Sequence, residues 1–283
     1  MQKQFICLNG EMLPFGEPSL MHNNRAFCYG DALFETIHAN GTQLQFFTGH
    51  YSRLVKSMQI LQMEKGSLPD AGMLESLLIK LLNRNHLYKG VRVRLSVFRN
   101  TGGFYAPENN TVSWLAETLP LPADQYVLND KGLKTALFTE FSKQADTLAN
   151  LKTSNSLLYI LAGLFRKKQG HDECFIVNTE GRLAETISSN IFIMKEGVLY
   201  TPSLNEGCVA GIMRRQIIRI AGIQGLECIE SQLTEKDLLA ADECFLTNAI
   251  AGIRWVLAYR DKRYYSKTSR MLISALNSEQ FGY

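Results

Sequence analysis

The chain has 283 residues, enough for two modest domains or one large one, with 46% hydrophobic and 20% charged residues. A formal net charge of +3 without a long basic run argues against a nucleic-acid partner, and the apolar runs are too short to cross a bilayer. The 6 cysteines are scattered with no CxxC pair and no apolar leader follows the early lysine, so a reduced, cytoplasmic setting without a metal site is expected.

Residues 4–13 read as a hairpin turning at Asn9-Gly10, a strong short-range turn signal. A loop with Pro14 and Pro18 follows. Gly30 then punctuates the chain before a strand from Ala32 to Ala39, which Asn40-Gly41 turns back. His50 to Met63 reads as a helix with Tyr51, Leu54, Val55, Met58 and Leu61 on one stripe; Arg53 lies off it, as a solvated cation would. Asp70 is a candidate N-cap for a second helix that buries Leu74, Leu77, Leu78, Leu81 and Leu82. Val91, Val93, Leu95 and Val97 then alternate with Arg92, Arg94 and Ser96, a half-exposed strand whose arginines are solvated by default. In the loop from Arg99 to Tyr105, two glycines let backbone approach a ligand. Arg99 is the candidate partner of a substrate carboxylate there.

The proline-bearing stretch ETLPLPADQY supplies a linker at 120–126, between an N-terminal domain (1–119) and a larger C-terminal one (127–283). Beyond it comes a strand from Leu133 to Phe138. Lys152 precedes a helix, Ser154 to Lys168, with Leu157, Leu158, Leu161, Leu164 and Phe165 expected to pack inward. Strands Cys174 to Val177 and Ser189 to Ile193 flank a polar turn, Thr179 to Arg182. Glu185 leaves that turn ahead of Thr186, Ser188 and Ser189, and on composition alone it is an ordinary exposed acid. After a short strand, Val198 to Tyr200, a loop ending in Gly211 feeds a helix from Ile212 to Ala221. Its unpaired first N–H groups offer an anion site. A strand from Glu243 to Leu246 ends in Thr247-Asn248, a hydroxyl and an amide that suit a phosphate and equally suit a turn. The tail reads as a strand and a terminal helix without chemistry.

The combination of ETISSNIF, GCVAGIMRR, LKTSN, HYSRL, GDxxFE (Gly30, Asp31, Phe34 and Glu35) and TNAIAG resembles the class IV aminotransferases, the fold-type IV enzymes of pyridoxal phosphate (PLP). The resemblance runs from about Leu8 to Val256. It implies a two-domain α+β fold of the D-amino acid aminotransferase type and a homodimer acting on a small molecule. It also implies roles: Lys152 as Schiff-base residue and general base, Glu185 facing the pyridine nitrogen, and Arg53, Gly211, Ile212, Thr247 and Asn248 around the phosphate. Phe34, Arg99 and Asn155 are the implied substrate contacts. The family holds branched-chain and D-amino acid aminotransferases and 4-amino-4-deoxychorismate lyases. Branched-chain enzymes usually carry a tyrosine where Leu157 stands, and D-amino acid enzymes one where Phe34 stands. Asn155, RNTGGFY and TNAI sit closer to the lyases, so the expected reaction is pyruvate elimination giving 4-aminobenzoate. Transamination with 2-oxoglutarate is the alternative.

Overall fold

The computed structural model describes residues 4–16 and 20–282, so Pro18 and its loop lie outside the described residues. The chain divides into two compact units, 1–125 with 152–155, and 126–151 with 156–283. The cut near 125 falls at the end of the proline-bearing stretch. The surprise is the detour: residues 152–155, expected within the second domain, pack with the first.

The N-terminal unit contains β1 (Phe5–Leu8), β2 (Glu11–Pro14), α1 (Arg25–Tyr29), β3 (Ala32–Asn40), β4 (Gln43–Leu44), α2 (Phe47–Ile60), α3 (Ala71–Arg84), β5 (Gly90–Arg99) and β6 (Val112–Pro120). Among the described residues six strands form one antiparallel sheet in the order β2-β1-β6-β5-β3-β4. Asn9 and Gly10, both at positive φ, close the β1–β2 turn, a conformation these two residue types tolerate best. On β5, Val91, Val93, Leu95 and Val97 are buried, and Asp70 caps α3 by accepting from Met73 N. Helix α2 begins three residues earlier than expected and is rotated. It buries Phe47, His50, Leu54, Ser57 and Met58, while Tyr51, Val55 and Leu61 stay half-buried. His50 faces the core because the Glu35 carboxylate awaits it there, and Ser57 donates to Arg53 O at 2.8 Å.

The C-terminal unit contains β7 (Leu133–Lys143), α4 (Leu157–Lys168), β8 (Glu173–Asn178), β9 (Leu183–Thr186), β10 (Asn190–Lys195), β11 (Val198–Pro202), α5 (Ile212–Ile223), β12 (Cys228–Ser231), α6 (Glu235–Ala240), β13 (Glu243–Asn248), β14 (Gly252–Tyr259), β15 (Lys262–Arg263) and α7 (Lys267–Phe281). The sheet order among the described residues is β12-β11-β10-β13-β14-β7-β8-β9, with β15 on β14. Pairs β7–β8 and β11–β12 are parallel, each crossed over by a helix, α4 and α5. Strand β8 is buried along its whole length, as such strands are. Its antiparallel partner is the short β9, whereas β10 lies beside β13. The strand from Ser189 is therefore not the return strand of the hairpin, and Glu185 sits within β9 rather than in a turn.

Helix α4 corrects a second expectation. It buries Ala162, packs Leu158, Tyr159 and Phe165 against the core, and leaves Leu157, Ile160, Leu161 and Leu164 exposed. Those four fall at positions i, i+3, i+4 and i+7, a single apolar stripe facing outward.

Candidate active site

Each unit holds clusters of chemistry-bearing side chains. In the N-terminal unit, alternation along β3 sends Glu35 to the helix-covered face of the sheet and Phe34 to the other. Glu35 is almost wholly buried and accepts from Arg53 on both oxygens, with Nε at 2.8 Å, and from His50 Nδ1 at 2.7 Å. His50 and Arg53 stand one turn apart on α2, so one carboxylate reaches both. Burial alone pushes the Glu35 carboxyl up, but the Arg53 charge and the His50 hydrogen bond outweigh it and hold the group at about 2, against an ordinary 4.5. Burial pushes His50 down, and the Arg53 and Lys152 charges add to that. With Nδ1 donating to Glu35, Nε2 is left as an acceptor, buried and without a hydrogen-bond partner among the described residues.

The depressed Glu35 value has a consequence for stability. Its folded-state pKa lies below the unfolded one, so the stabilisation is complete above about pH 4.5 and is lost as pH falls towards 2. The gap in unfolding free energy between the wild type and Glu35→Gln should be widest at neutral pH and narrow over that window, by about 3 kcal/mol at most. A gap that stays constant from pH 6 to 2.5 in calorimetry would show that Glu35 carries no such linkage.

Lys152 joins this unit through its backbone. Its carbonyl accepts from Phe34 N at 3.0 Å, Ser154 N donates to Ala32 O at 2.9 Å, and Thr153 bridges Leu33. That short ladder fixes the segment against β3. The Lys152 Nζ lies 4.3 Å from the centre of the Phe34 ring, and the Arg94 guanidinium carbon lies 4.1 Å from the same ring. Arg94 stands opposite Thr36 in the β3–β5 ladder. Burial, then the Arg92 charge, lowers the pKa of Arg94. An amine and a guanidinium thus both pack on one aromatic ring.

In the C-terminal unit, Glu185 is buried on β9. Its Oε1 accepts from Lys143 Nζ and from the Tyr159 hydroxyl at 2.7 Å, and its Oε2 accepts from Val209 N at 2.9 Å. Burial first, then the Glu185 charge, pushes the Tyr159 phenol up, and the same causes push the Cys208 thiol up to about 12. A second group surrounds Asn190, which stands opposite Thr247 in the β10–β13 ladder. Gly211, the N-cap of α5, touches it so closely that a Cβ there would fall 1.9 Å from Asn190 Oδ1. No side chain caps α5, whose first N–H groups begin at Ile212. Thr247 Oγ1 is buried and has no hydrogen-bond partner among the described residues. An orphaned hydroxyl and an uncapped helix start suit an anion such as phosphate.

Three of the expected site residues are placed otherwise. Arg99 is buried and committed, with Nε on Asp31 at 2.9 Å, Nη2 on Leu61 O at 2.8 Å and Nη1 on Asn110 and Gln62 O. It ties β5 to its own domain and spends four of its five N–H donors there, so it cannot offer a carboxylate a two-pronged grip. Asn248 spends its side chain on the turn, accepting from Ile250 N and Ala251 N and donating to Ser189 Oγ at 3.0 Å. Asn155 is exposed and packs on Gly30, whose left-handed φ of 66° and contact with Asn155 Oδ1 both favour glycine. The sequence reading missed Lys143, Tyr159 and Arg94. The alternation of β5 held a signal for Arg94, since it shows that Arg94 shares a face with the residues opposite Phe34. For Lys143 no local pattern gave warning.

The sheets, helices and buried acid describe a fold-type IV enzyme. The superposition with a T.th. branched-chain amino acid aminotransferase complexed with N-(5'-phosphopyridoxyl)-L-glutamate gives a TM-score of 0.86 at 25% identity, covering 98% of this chain and 94% of that one. A protein of Methanocaldococcus jannaschii, provisionally named a branched-chain-amino-acid aminotransferase, is 29% identical over 251 residues, 88% of this chain and 85% of the relative. An aminodeoxychorismate lyase of Bacillus subtilis is 28% identical over 255 residues, 88% of this chain and 84% of the relative. Residues 32–259 match the family profile of amino-transferase class IV. The chain belongs to the class IV aminotransferases.

Proposed function

We propose that this enzyme uses PLP and eliminates pyruvate from 4-amino-4-deoxychorismate, leaving 4-aminobenzoate. The observation that carries an amino-carboxylate substrate is the pairing of Lys152 and Arg94 on the Phe34 ring. The cofactor, when bound, supplies an electron sink conjugated to the substrate amine. Lys152 is the residue that would hold it covalently, Glu185 the acid for its ring nitrogen, and Arg53, Thr247 and the N–H groups at Gly211 and Ile212 the phosphate donors. Thr247 Oγ1 fits that assignment because its burial leaves it in need of an acceptor or donor from outside the chain. Arg94 replaces Arg99 as the carboxylate partner.

In the elimination, Lys152 Nζ takes the proton from the amine-bearing carbon. The freed electron pair expels the enolpyruvyl oxygen on the adjacent carbon, and the ring becomes aromatic. The lyase reading draws support from Asn155, the RNTGGFY loop and the likeness to the Bacillus subtilis lyase. The likeness to the Methanocaldococcus jannaschii protein favours amino-acid transamination with 2-oxoglutarate as the second reading. Assay of the PLP-loaded protein on 4-amino-4-deoxychorismate without a keto acid separates them. Catalytic pyruvate release with 4-aminobenzoate is expected, and its absence from a loaded, folded protein would transfer the assignment to transamination.

The same proposal includes a homodimer. Four outward-facing aliphatic residues on one helix, Leu157, Ile160, Leu161 and Leu164, form an unusual face for a monomer, and a second copy would cover it. Because these side chains are exposed, Leu157→Glu/Leu164→Glu should fold normally. It is expected to halve the mass seen by light scattering at micromolar concentration; a wild type already monomeric there would overturn the dimer.

A further inference from the structure

We infer that Lys143 is a positioning residue for Glu185: it fixes Oε1 of that carboxylate, leaves Oε2 as the oxygen presented to the ring nitrogen, and places a positive charge behind it. This rests on the assignment of Glu185 to the cofactor.

Lys143 reaches this position through an irregularity in β7. The pairing of β7 with β8 runs in register from Thr135 to Phe138, breaks, and resumes at Lys143 opposite Asn178. Residues 139–142 between them are exposed, so the break turns Lys143 inward after a solvated stretch. Its backbone is then pinned, because Thr179 N donates to Lys143 O at 3.1 Å. The side chain is buried and its ammonium lies on Glu185 Oε1 and 5.5 Å from the centre of the Tyr159 ring.

Three donors converge on Glu185, and they are unequally shared. Oε1 takes the ammonium and the Tyr159 hydroxyl, which fills both its lone pairs. Oε2 takes the Val209 amide alone and keeps one lone pair. The carboxylate therefore has one defined direction left for a further partner. Tyr159 and Val209 come from α4 and from the loop before α5, so three separate parts of the unit orient a single group. Among the described residues, the other charged or titratable groups near this cluster include Cys208, Arg214 and Glu230, and also Glu206, which accepts from Asn178 opposite Lys143 and is paired with Arg182. Arg214 is itself paired with Glu230 at 2.6 Å, so Lys143 is the cation matched to Glu185.

A buried lysine held on a carboxylate is also poorly placed to act as a nucleophile, which separates Lys143 from Lys152. Its charge has an electronic effect instead. A cation behind Glu185 opposes every protonation on the far side of that carboxylate. Removing it should therefore raise the pH midpoint of any protonation of the cofactor held there.

The test is the pH titration of the visible absorbance of PLP-loaded wild type, Lys143→Met and Lys143→Arg. The midpoint is expected to rise by about half a unit or more in Lys143→Met and to stay near wild type in Lys143→Arg. An unmoved midpoint in a folded, loaded Lys143→Met overturns the inference, as does an arginine variant displaced as far as the methionine one. Where Lys143→Met does not fold or load, Lys143→Gln, which keeps a donor but no charge, is titrated instead. Failure of both to load would reduce the pair to a fold-keeping contact and overturn the inference. A colourless wild type would overturn the cofactor assignment itself, and is recognised because it needs no variant.

Discussion

Lys152→Ala is expected to fold, to melt within a few degrees of the wild type, and to lose catalysis by at least about 10⁴-fold, on the scale seen when a covalent residue is removed from its catalytic group. Stability should survive because the backbone, not the amine, holds this segment. The Lys152 carbonyl and the Thr153 and Ser154 positions carry the ladder to β3, and an alanine makes the same hydrogen bonds. The check is twofold. Borohydride treatment of the PLP-loaded wild type should leave the cofactor's mass on the peptide containing Lys152, and the same treatment of Lys152→Ala should leave none. Lys143→Ala should retain the label, since its amine is engaged by Glu185. A label on Lys143 in the wild type would reverse the assignment of the two lysines.

The readable parts of this chain were those in which one residue type dictates one local geometry. Asn9-Gly10 adopts positive φ at both positions, Asp70 accepts from the third amide of α3, and the four aliphatic residues of β5 point to one face because a strand alternates. The family was readable by resemblance, because Lys152, Glu185 and Thr247 each stand within a longer motif. What was not readable depended on partners distant in sequence. The four-residue β9 is too short to show a period, so Glu185 was read as a turn residue. The face of α4 was misassigned because apolar residues nearly all the way round, from Leu157 to Phe165, offer two stripes, and only packing against β7 and β8 selects between them. Lys143 owes its position to a break in strand pairing, which no propensity encodes. Arg53 was expected off the apolar stripe as a solvated cation, yet it is drawn towards the core by Glu35, 18 residues earlier.

The two arginines of β5 make the sharpest contrast. Arg94 and Arg99 are five residues apart, an odd number, so alternation places them on opposite faces of the strand. Arg94 falls on the sheet face of Phe34, whose ring also carries the Lys152 amine. Arg99 falls among Asp31, Asn110 and the carbonyls of Leu61 and Gln62. Arg94→Ala is accordingly expected to raise KM for the carboxylate substrate by about 10²-fold with kcat changed far less, the loss of one charge-assisted contact made in ground and transition states alike. Arg94→Lys should recover part of that, since a point charge replaces a fork. Arg99→Ala should leave KM near wild type and instead lower stability by about 1–3 kcal/mol, the usual consequence of removing hydrogen-bond donors from part-buried acceptors, since Asp31 keeps its pairing with Arg25. Steady-state kinetics beside denaturant titration separates the two. Should Arg99→Ala prove stable with a raised KM, and Arg94→Ala kinetically silent, the carboxylate would belong to the other face of the strand and the pairing of Lys152 with Arg94 would lose its meaning for the substrate.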